Sequence, residues 1–133
     1  MKWIETIVSD KISGYSLQGT VIALDNDDVV VVLSGGKDHI GALALAVPRP
    51  SLKDQSRISA TSSVLTMLGH KDDELAKYAS ERLAAATERN IAVIAGVHFE
   101  NLASADLEIL RKLWVSLTEK IILFINQKII CRP

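Results

Sequence analysis

Two short runs of apolar residues constrain the fold of this chain more than any other feature. Residues 29–33 are four valines followed by a leucine, and residues 91–97 are apolar throughout, with one glycine near the end. Continuous apolar runs of this length are typical of strands in the middle of a sheet, where both faces are covered. The sequence therefore predicts two central strands, and we expect residues 29–33 to be buried on both faces of the sheet.

Three further segments are predicted to be strands, although the sequence does not indicate which strands they pair with. Residues 17–24 are joined to the first central strand by the turn-forming acids that follow them, and residues 60–68 alternate in hydropathy. In residues 39–47, leucine and valine fall on one face and alanine on the other. Small side chains permit close approach, so we expect a helix to pack on the alanine face, with a bound ligand as the alternative. Residues 1–14 have no clean period and are assigned as a weak strand or a loop.

Two segments have the period of an amphipathic helix. Residues 72–88 form the first, and Ser104 can cap the second. The apolar stripe of the second helix is formed by Leu107, Leu110, Trp114, Leu117, Ile121 and Phe124. Such a stripe is typical of a helix laid on a sheet, with a coiled-coil seam as the alternative. Leu113, Ile122 and Leu123 lie off the stripe, and we expect them to be exposed unless a further surface covers them.

The order of these elements predicts an α+β fold. A mainly antiparallel sheet carries two helices, in two layers or as a sandwich, in the order ββββαβα. The chain has 133 residues, 48% of them hydrophobic, and a formal net charge of −1. This is enough apolar material for one domain over residues 1–133, and too little net charge to suggest a nucleic acid or a membrane as the main partner.

The ends of the chain favour a cytoplasmic protein. The first residues lack the apolar region of a signal peptide, and the longest apolar run near the C-terminus is far shorter than the ~20 residues that cross a bilayer. A single cysteine, Cys131, excludes an intramolecular disulfide, and we interpret it as a packing residue or an incidental thiol rather than a nucleophile.

Residues 48–74 are the most polar part of the chain, and we interpret them as a long binding loop that contains the fourth strand. At its end Gly69 permits a sharp turn and Asp72 can cap the helix that follows. The unpaired N–H groups of a first helical turn can hold an anion, and His70 and Lys71 would add donors. The acids that follow compete for the same positive helix end, so a capped surface helix is the alternative.

The three histidines of the chain each lie beside a glycine at a predicted strand or helix boundary. They are His39, His70 and His98. If those boundaries meet at one edge of the sheet, the imidazoles converge on a site that could bind a phosphate or an aromatic acid. A three-histidine zinc site and simple turn histidines are the alternatives. No catalytic motif is recognisable, so an enzyme that uses His98 or Glu100 as acid or base is a weaker reading.

Four short motifs, in this order, resemble the prenylated-flavin chaperone family, whose namesake LpdD is the small subunit associated with gallate decarboxylase. They are HIGA at 39–42, SSVL at 62–65, GHKDDELA at 69–76 and AGVHFENL at 95–102. That family is similar in fold to the type-4 proteasome-assembling chaperones, α+β proteins whose antiparallel sheet is flanked by helices and which tend to dimerise. The resemblance runs from residue 39 into the final helix, and residues 48–59 do not match it.

The resemblance implies a non-catalytic accessory protein that binds prenylated FMN, or FMN, or delivers it to a UbiD-type hydroxyarylic acid decarboxylase. The alternative is an assembly chaperone or protein-interaction module that acts as a homodimer without a cofactor. No catalytic residue and no metal ligand is assigned. The motif residues expected to line the cofactor site are His39, Gly41, Gly69, His70, Lys71, Gly96, His98 and Asn101, with Arg57, Ser62 and Ser63 as additional donors and Phe99 beside the flavin ring.

Overall fold

The computed structural model describes residues 1–67 and 72–130. The elements are β1 (Trp3–Val8), β2 (Gln18–Ala23), β3 (Val29–Gly36), β4 (Ala42–Pro50), β5 (Ile58–Thr66), α1 (Asp72–Thr87), β6 (Ile91–His98) and α2 (Asp106–Ile130). The predicted α+β class with two helices is confirmed. The segment assigned as a weak strand or loop contains β1, which raises the number of strands before α1 to five. No helix in the described part of the chain could span a membrane.

The six strands form one sheet in the order β1-β2-β3-β6-β4-β5. Every neighbouring pair is antiparallel except β3 and β6, which are parallel. Because β6 lies between β3 and β4, the chain must cross the end of β6 to pass from β3 to β4. Residues 37–41 make this crossing, and we call them the crossing segment.

Both helices cover the same face of the sheet. Helix α1 packs on β4, β5 and β6, while α2 packs on β1, β2 and α1. Ala42, Ala44 and Ala46 are fully buried on this face, so the predicted helix on the alanine face is confirmed. The prediction that residues 29–33 are buried on both faces is wrong, because Val30 and Val32 point to the face without helices and are only half-buried.

The predicted polar loop over residues 48–74 is largely a β-hairpin. The pairing of β4 with β5 runs without a break from Ala42 opposite Thr66 to Pro50 opposite Ile58, which leaves only residues 51–57 as the connection. Pro48 and Pro50 do not interrupt the ladder, because in this register their missing N–H groups point away from β5. On that side β4 has no partner, since its pairing with β6 ends at Ala46.

The buried surface of α2 differs from the predicted stripe. Leu113 and Ile122 are buried, whereas Leu107 at the start of the stripe is exposed. The reason is that α2 lies in the angle between the sheet and α1, so two neighbouring sides of the helix are covered instead of one. Leu123, on the remaining side, is exposed as expected.

Replacing a leucine from each side of α2 tests this packing. Leu113 has 0% of its surface exposed and Leu123 has 62%. We expect Leu113→Ala to lower the free energy of unfolding by about 3 kcal/mol, because the change leaves a cavity in the core. Leu123→Ala, the matched control, should change it by less than about 0.5 kcal/mol. Chemical denaturation measures both, and equal effects would show that α2 is rotated relative to this description.

Candidate functional site

The crossing segment passes directly over the last turns of β6. A Cβ atom added to Gly96 would lie 1.6 Å from the carbonyl oxygen of His39, so only glycine leaves room for the chain above it. Two backbone hydrogen bonds fasten the crossing on either side, from Lys37 N to His98 O at 2.8 Å and from Gly41 N to Ala95 O at 2.9 Å. Gly96 is therefore a packing residue that allows His39 to lie on β6.

Asp72 ties the crossing segment to the start of α1 and to β6. One of its carboxylate oxygens lies 3.1 Å from His39 Nε2, and the other accepts a hydrogen bond from the backbone N–H of Val97 at 3.0 Å. The Asp72 side chain is buried, and a Cβ added to Gly41 would lie 1.8 Å from its Oδ2 atom. Gly41 thus makes space for the Asp72 carboxylate, which sequence reasoning assigned only as a helix cap.

The predicted convergence of the histidines is observed for two of them. The ring centroids of His39 and His98 are 6.4 Å apart, with the ring planes nearly perpendicular. His39 is about three-quarters buried, whereas His98 is exposed at the end of β6. Gly69, His70 and Lys71, the other residues of the predicted anion site, lie outside the described residues.

A groove of about 560 Å³ opens beside His98, between the start of α1, the end of β6 and the first half of α2. Its rim carries Asp73 and Glu74, and Arg111 lies 3.8 Å from the Glu74 carboxylate. Its apolar wall is formed by Val97, Leu102, Leu107, Leu110 and Trp114. Sequence reasoning missed this wall, because leucines and a tryptophan at helical spacing look the same whether they face a core or a groove.

Phe99 does not line this groove. Its ring packs against Tyr15 in an edge-to-face arrangement, with the centroids 5.0 Å apart, and its edge lies against Gly35 and Gly36 on β3. Asn101, two residues further on, is exposed and has a φ of 58°, a left-handed conformation that asparagine tolerates better than most residues. Its position is thus explained by the turn that leads from β6 to α2.

Three predicted donors lie away from the two histidines. Arg57 belongs to the connection between β4 and β5, at the opposite end of these strands from Gly41, and its nearest acidic partner is Asp54 at 4.0 Å. Ser62 and Ser63 are in the middle of β5 and point to opposite faces of the sheet. Ser62 and Ser63 are opposite Ala46 and Leu45, several residues along β4 from Gly41, so none of the three donors lies at the end of the sheet where the crossing segment meets β6.

Ser62 has a structural partner of its own. Its hydroxyl donates to Glu81 Oε1 at 2.7 Å, and the same oxygen is paired with Lys77. Burial acts to raise the pKa of Glu81, but these hydrogen bonds and the nearby positive charges outweigh it and leave that pKa below its ordinary value. The pair fastens α1 to β5. Within residues 1–67 and 72–130, no cluster of three or more histidine, cysteine or acidic side chains is placed to hold a metal ion.

Comparison with solved structures first identifies the type of fold. A chain from the crystal structure of a novel chaperone complex for yeast 20S proteasome assembly superposes with a TM-score of 0.52 at 14% sequence identity. The match covers 91% of this chain and 94% of that one. At this identity the likeness shows the fold alone, and it agrees with the fold expected from the sequence.

The sequence then identifies the family. The chain belongs to the prenylated flavin chaperone LpdD-like domain family, whose profile matches residues 11–126. No curated protein sequence matches the chain. The resemblance drawn from four short motifs is thus confirmed, and the profile extends it towards the N-terminus into β2 and β3. Membership suggests a role as a flavin chaperone.

Proposed function

We propose that this protein binds prenylated FMN, or FMN, and passes it to a UbiD-type hydroxyarylic acid decarboxylase. The observation that carries the proposal is the groove beside His98. Its volume of about 560 Å³ is in the range of small-molecule sites, roughly 300–1,000 Å³. Family membership supplies the class of ligand, and the groove is a place on this chain with the dimensions to hold it.

The chemistry of the groove suits a flavin in a particular orientation. Leu110 and Trp114 offer an apolar and aromatic wall, which suits a planar ring system. The carboxylates of Asp73 and Glu74 at the rim would repel a phosphate, and Arg111 is already paired with Glu74. The phosphate end would therefore lie towards the histidines, with the ring against α2. The flavin itself supplies the redox and electrophilic chemistry, which the partner enzyme would use.

The arrangement supports delivery rather than catalysis. His98 and Glu74, at the rim of the groove, are exposed, so a bound flavin would remain within reach of a second protein. Asp72, the buried acid beside the groove, is engaged in fixing the crossing segment to the start of α1 and to β6. A carrier needs a rigid and accessible binding site more than it needs acid–base groups.

His98→Ala tests the placement of the phosphate end. We expect the affinity for FMN to fall at least about tenfold, because a hydrogen bond from an imidazole to a charged phosphate contributes about 1.5–3 kcal/mol. Fluorescence titration with FMN and with prenylated FMN measures the change. Arg57→Ala is the matched control: it also removes one basic side chain, but at the far end of β4 and β5, and we expect it to leave both affinities unchanged.

The two variants together can contradict the placement. Loss of binding in Arg57→Ala with none in His98→Ala would move the site to the hairpin end of the sheet. Absence of flavin binding by the unaltered protein at tens of micromolar would remove the cofactor proposal and favour the second one.

The second candidate function is that of a protein-interaction module, and the open face of the sheet favours it. This face, on the side away from the helices, carries Leu45 with 53% of its surface exposed and Leu65 with 71%. The other apolar side chains on it are Ile4, Val8, Ile22, Val30, Val32, Leu43, Val47, Ala92 and Ile94. Among its described residues the one charged side chain is Arg49, at one end.

We propose that a second copy of the chain covers this open face, giving a homodimer. With six strands about 4.8 Å apart, the face is about 29 Å wide, and its projected area is on the order of 500 Å². Exposed apolar patches of this size are often functional. Depletion of charge is typical of the centre of an interface, and two identical uncharged faces can pack about a twofold axis without repulsion.

A further inference from the structure

Strand β5 forms one edge of the sheet, and within the described residues the outer side of its backbone has no strand beside it. Bonds from Met67 N to Gly41 O at 2.9 Å and from Ser51 N to Arg57 O at 2.8 Å show that the odd-numbered residues pair with β4. Such pairs alternate in an antiparallel ladder, so the other residues direct their N–H and C=O groups outward. These residues are Ile58, Ala60, Ser62, Val64 and Thr66.

Strand β5 lacks the features that usually protect an edge strand from pairing with another chain. Those features are charged side chains, prolines, bulges and short length. β5 has 9 residues, none of them charged or proline, and its register with β4 contains no bulge. The opposite edge is protected, because β1 carries Glu5 in its middle and the Lys120 ammonium lies 3.5 Å from the Val8 carbonyl oxygen. The β5 edge can therefore accept a further strand.

The β5 edge is held in an extended conformation before any partner binds. Helix α1 packs on it, and the Ser62 hydroxyl donates to Glu81 at 2.7 Å. Glu81 is paired with Lys77, so these two side chains of α1 add no net charge beside the strand. Because the strand is already formed, pairing with it requires little ordering of this chain. An added strand would also place a side chain beside Leu65, which has 71% of its surface exposed.

The hairpin end of β5 is positively charged. The charged residues in residues 48–58 are Arg49, Lys53 and Arg57 with one acid, Asp54. The Arg57 side chain is 81% exposed and lies 4.0 Å from Asp54, at the limit of an ion pair. Residues 58–71 contain no acid, so the β5 edge of a second copy would bring none to this end. The charge therefore favours a different chain as the partner.

We propose that β5 accepts an extended segment of another protein, paired antiparallel, with an apolar side chain beside Leu65 and acidic side chains beside Arg57. Leu65 and Arg57 are eight positions apart, so the acids follow the apolar residue by about that distance along the partner. In this mode of recognition backbone hydrogen bonds give affinity and side chains give selectivity. The inference is independent of flavin binding, and the proposed homodimer leaves this edge free because it uses the open face.

Amide hydrogen exchange, followed by NMR on the ¹⁵N-labelled protein, tests whether the edge is free. We expect the outward amides of Ala60 and Val64 to exchange at least about tenfold faster than the amide of Thr61, which bonds to β4. Equally slow exchange at all three would show that the edge is already covered, by this chain or by a second copy, and would overturn the inference.

A synthetic peptide serves as the partner strand. It alternates threonine and valine over about eight residues and ends in a pair of glutamates, with both termini blocked. At saturation it should slow exchange at Ala60 and Val64 at least about tenfold. A control peptide that ends in a pair of lysines should bind at least about tenfold more weakly at low salt, and Arg57→Glu should reduce this preference to less than about threefold.

Ala60→Pro removes one outward N–H and leaves the bonds to β4 intact, so it should weaken binding of the glutamate peptide at least about tenfold. Thr6→Pro is the matched control. It removes an outward N–H from β1, as the bond from Ser9 N to Leu17 O at 2.8 Å indicates, and should leave the affinity unchanged. Arg57→Glu decides the point if Ala60→Pro does not fold.

Three results of these titrations would overturn the inference. They are no binding of either peptide at about 1 mM, equal affinity for the two peptides, and unchanged affinity in folded Ala60→Pro.

Discussion

Gly96→Val is expected to lower the free energy of unfolding by about 4 kcal/mol or more. The first added carbon would lie 1.6 Å from the His39 carbonyl oxygen and 2.6 Å from its carbonyl carbon, and these are backbone atoms that cannot rotate away. The crossing segment is fastened by hydrogen bonds on both sides, so relief of the clash must break at least part of the crossing. Urea denaturation followed by circular dichroism measures the loss.

Gly14→Ala is the control for the cost of removing a glycine. Gly14 has a φ of 84°, but an added Cβ there meets nothing within 4 Å. The expected cost is about 1 kcal/mol, from backbone conformation alone. Similar losses in the two variants would mean that the crossing segment does not lie against β6 as described, and the positions of His39 and Asp72 would have to be revised with it.

Leu45→Lys is expected to weaken the proposed homodimer about a thousandfold or more. In a dimer with twofold symmetry, both copies carry the substitution at the interface. Each lysine would bring an unpaired charge onto an apolar face. Leu45 is on β4, next to β6 in the middle of the sheet, with Ala92 opposite it. Light scattering over a concentration series should show the unaltered chain as a dimer and the variant as a monomer at micromolar concentration.

Leu52→Lys provides the comparison. Leu52 is the more exposed of the two leucines, with 88% of its surface accessible, but it lies in the connection between β4 and β5 and not on the open face. It should leave the dimer intact. If Leu52→Lys dissociates the dimer and Leu45→Lys does not, the hairpin end of the sheet is the interface. A monomer for the unaltered chain would remove the homodimer altogether.

The elements of the fold could be predicted from the sequence because each has its own period or composition. The alanine face of β4 and the apolar run of β6 are local patterns that identify a strand and the side it buries. The local sequence of a strand does not determine which other strands it pairs with. The insertion of β6 between β3 and β4 leaves no trace in either segment, and it decides that Val30 and Val32 are open to one side.

The residues of the candidate site could be predicted from the sequence only where a glycine lies beside them. His39 and His98 were singled out because glycines lie beside them, and the structure shows the reason at Gly41 and Gly96, where a Cβ would collide with the groups that build the site. Asp72 was assigned as a cap because an acid at a helix start is usually that. Its contact with His39, 33 residues earlier in the chain, depends on tertiary structure that no local pattern contains.

The position of β6 also determines how the sheet is held together along the chain. In the described residues, β1, β2 and β3 form one set of hydrogen-bonded neighbours and β4 and β5 form another, and β6 is the strand that joins them. Both sets precede β6 in the sequence, so during synthesis each can pair internally while the boundary between them stays unpaired. The same strand supplies Gly96, Val97 and His98, so the step that joins the two sets of strands also brings the crossing segment against β6, and the groove then requires only the chain that follows β6.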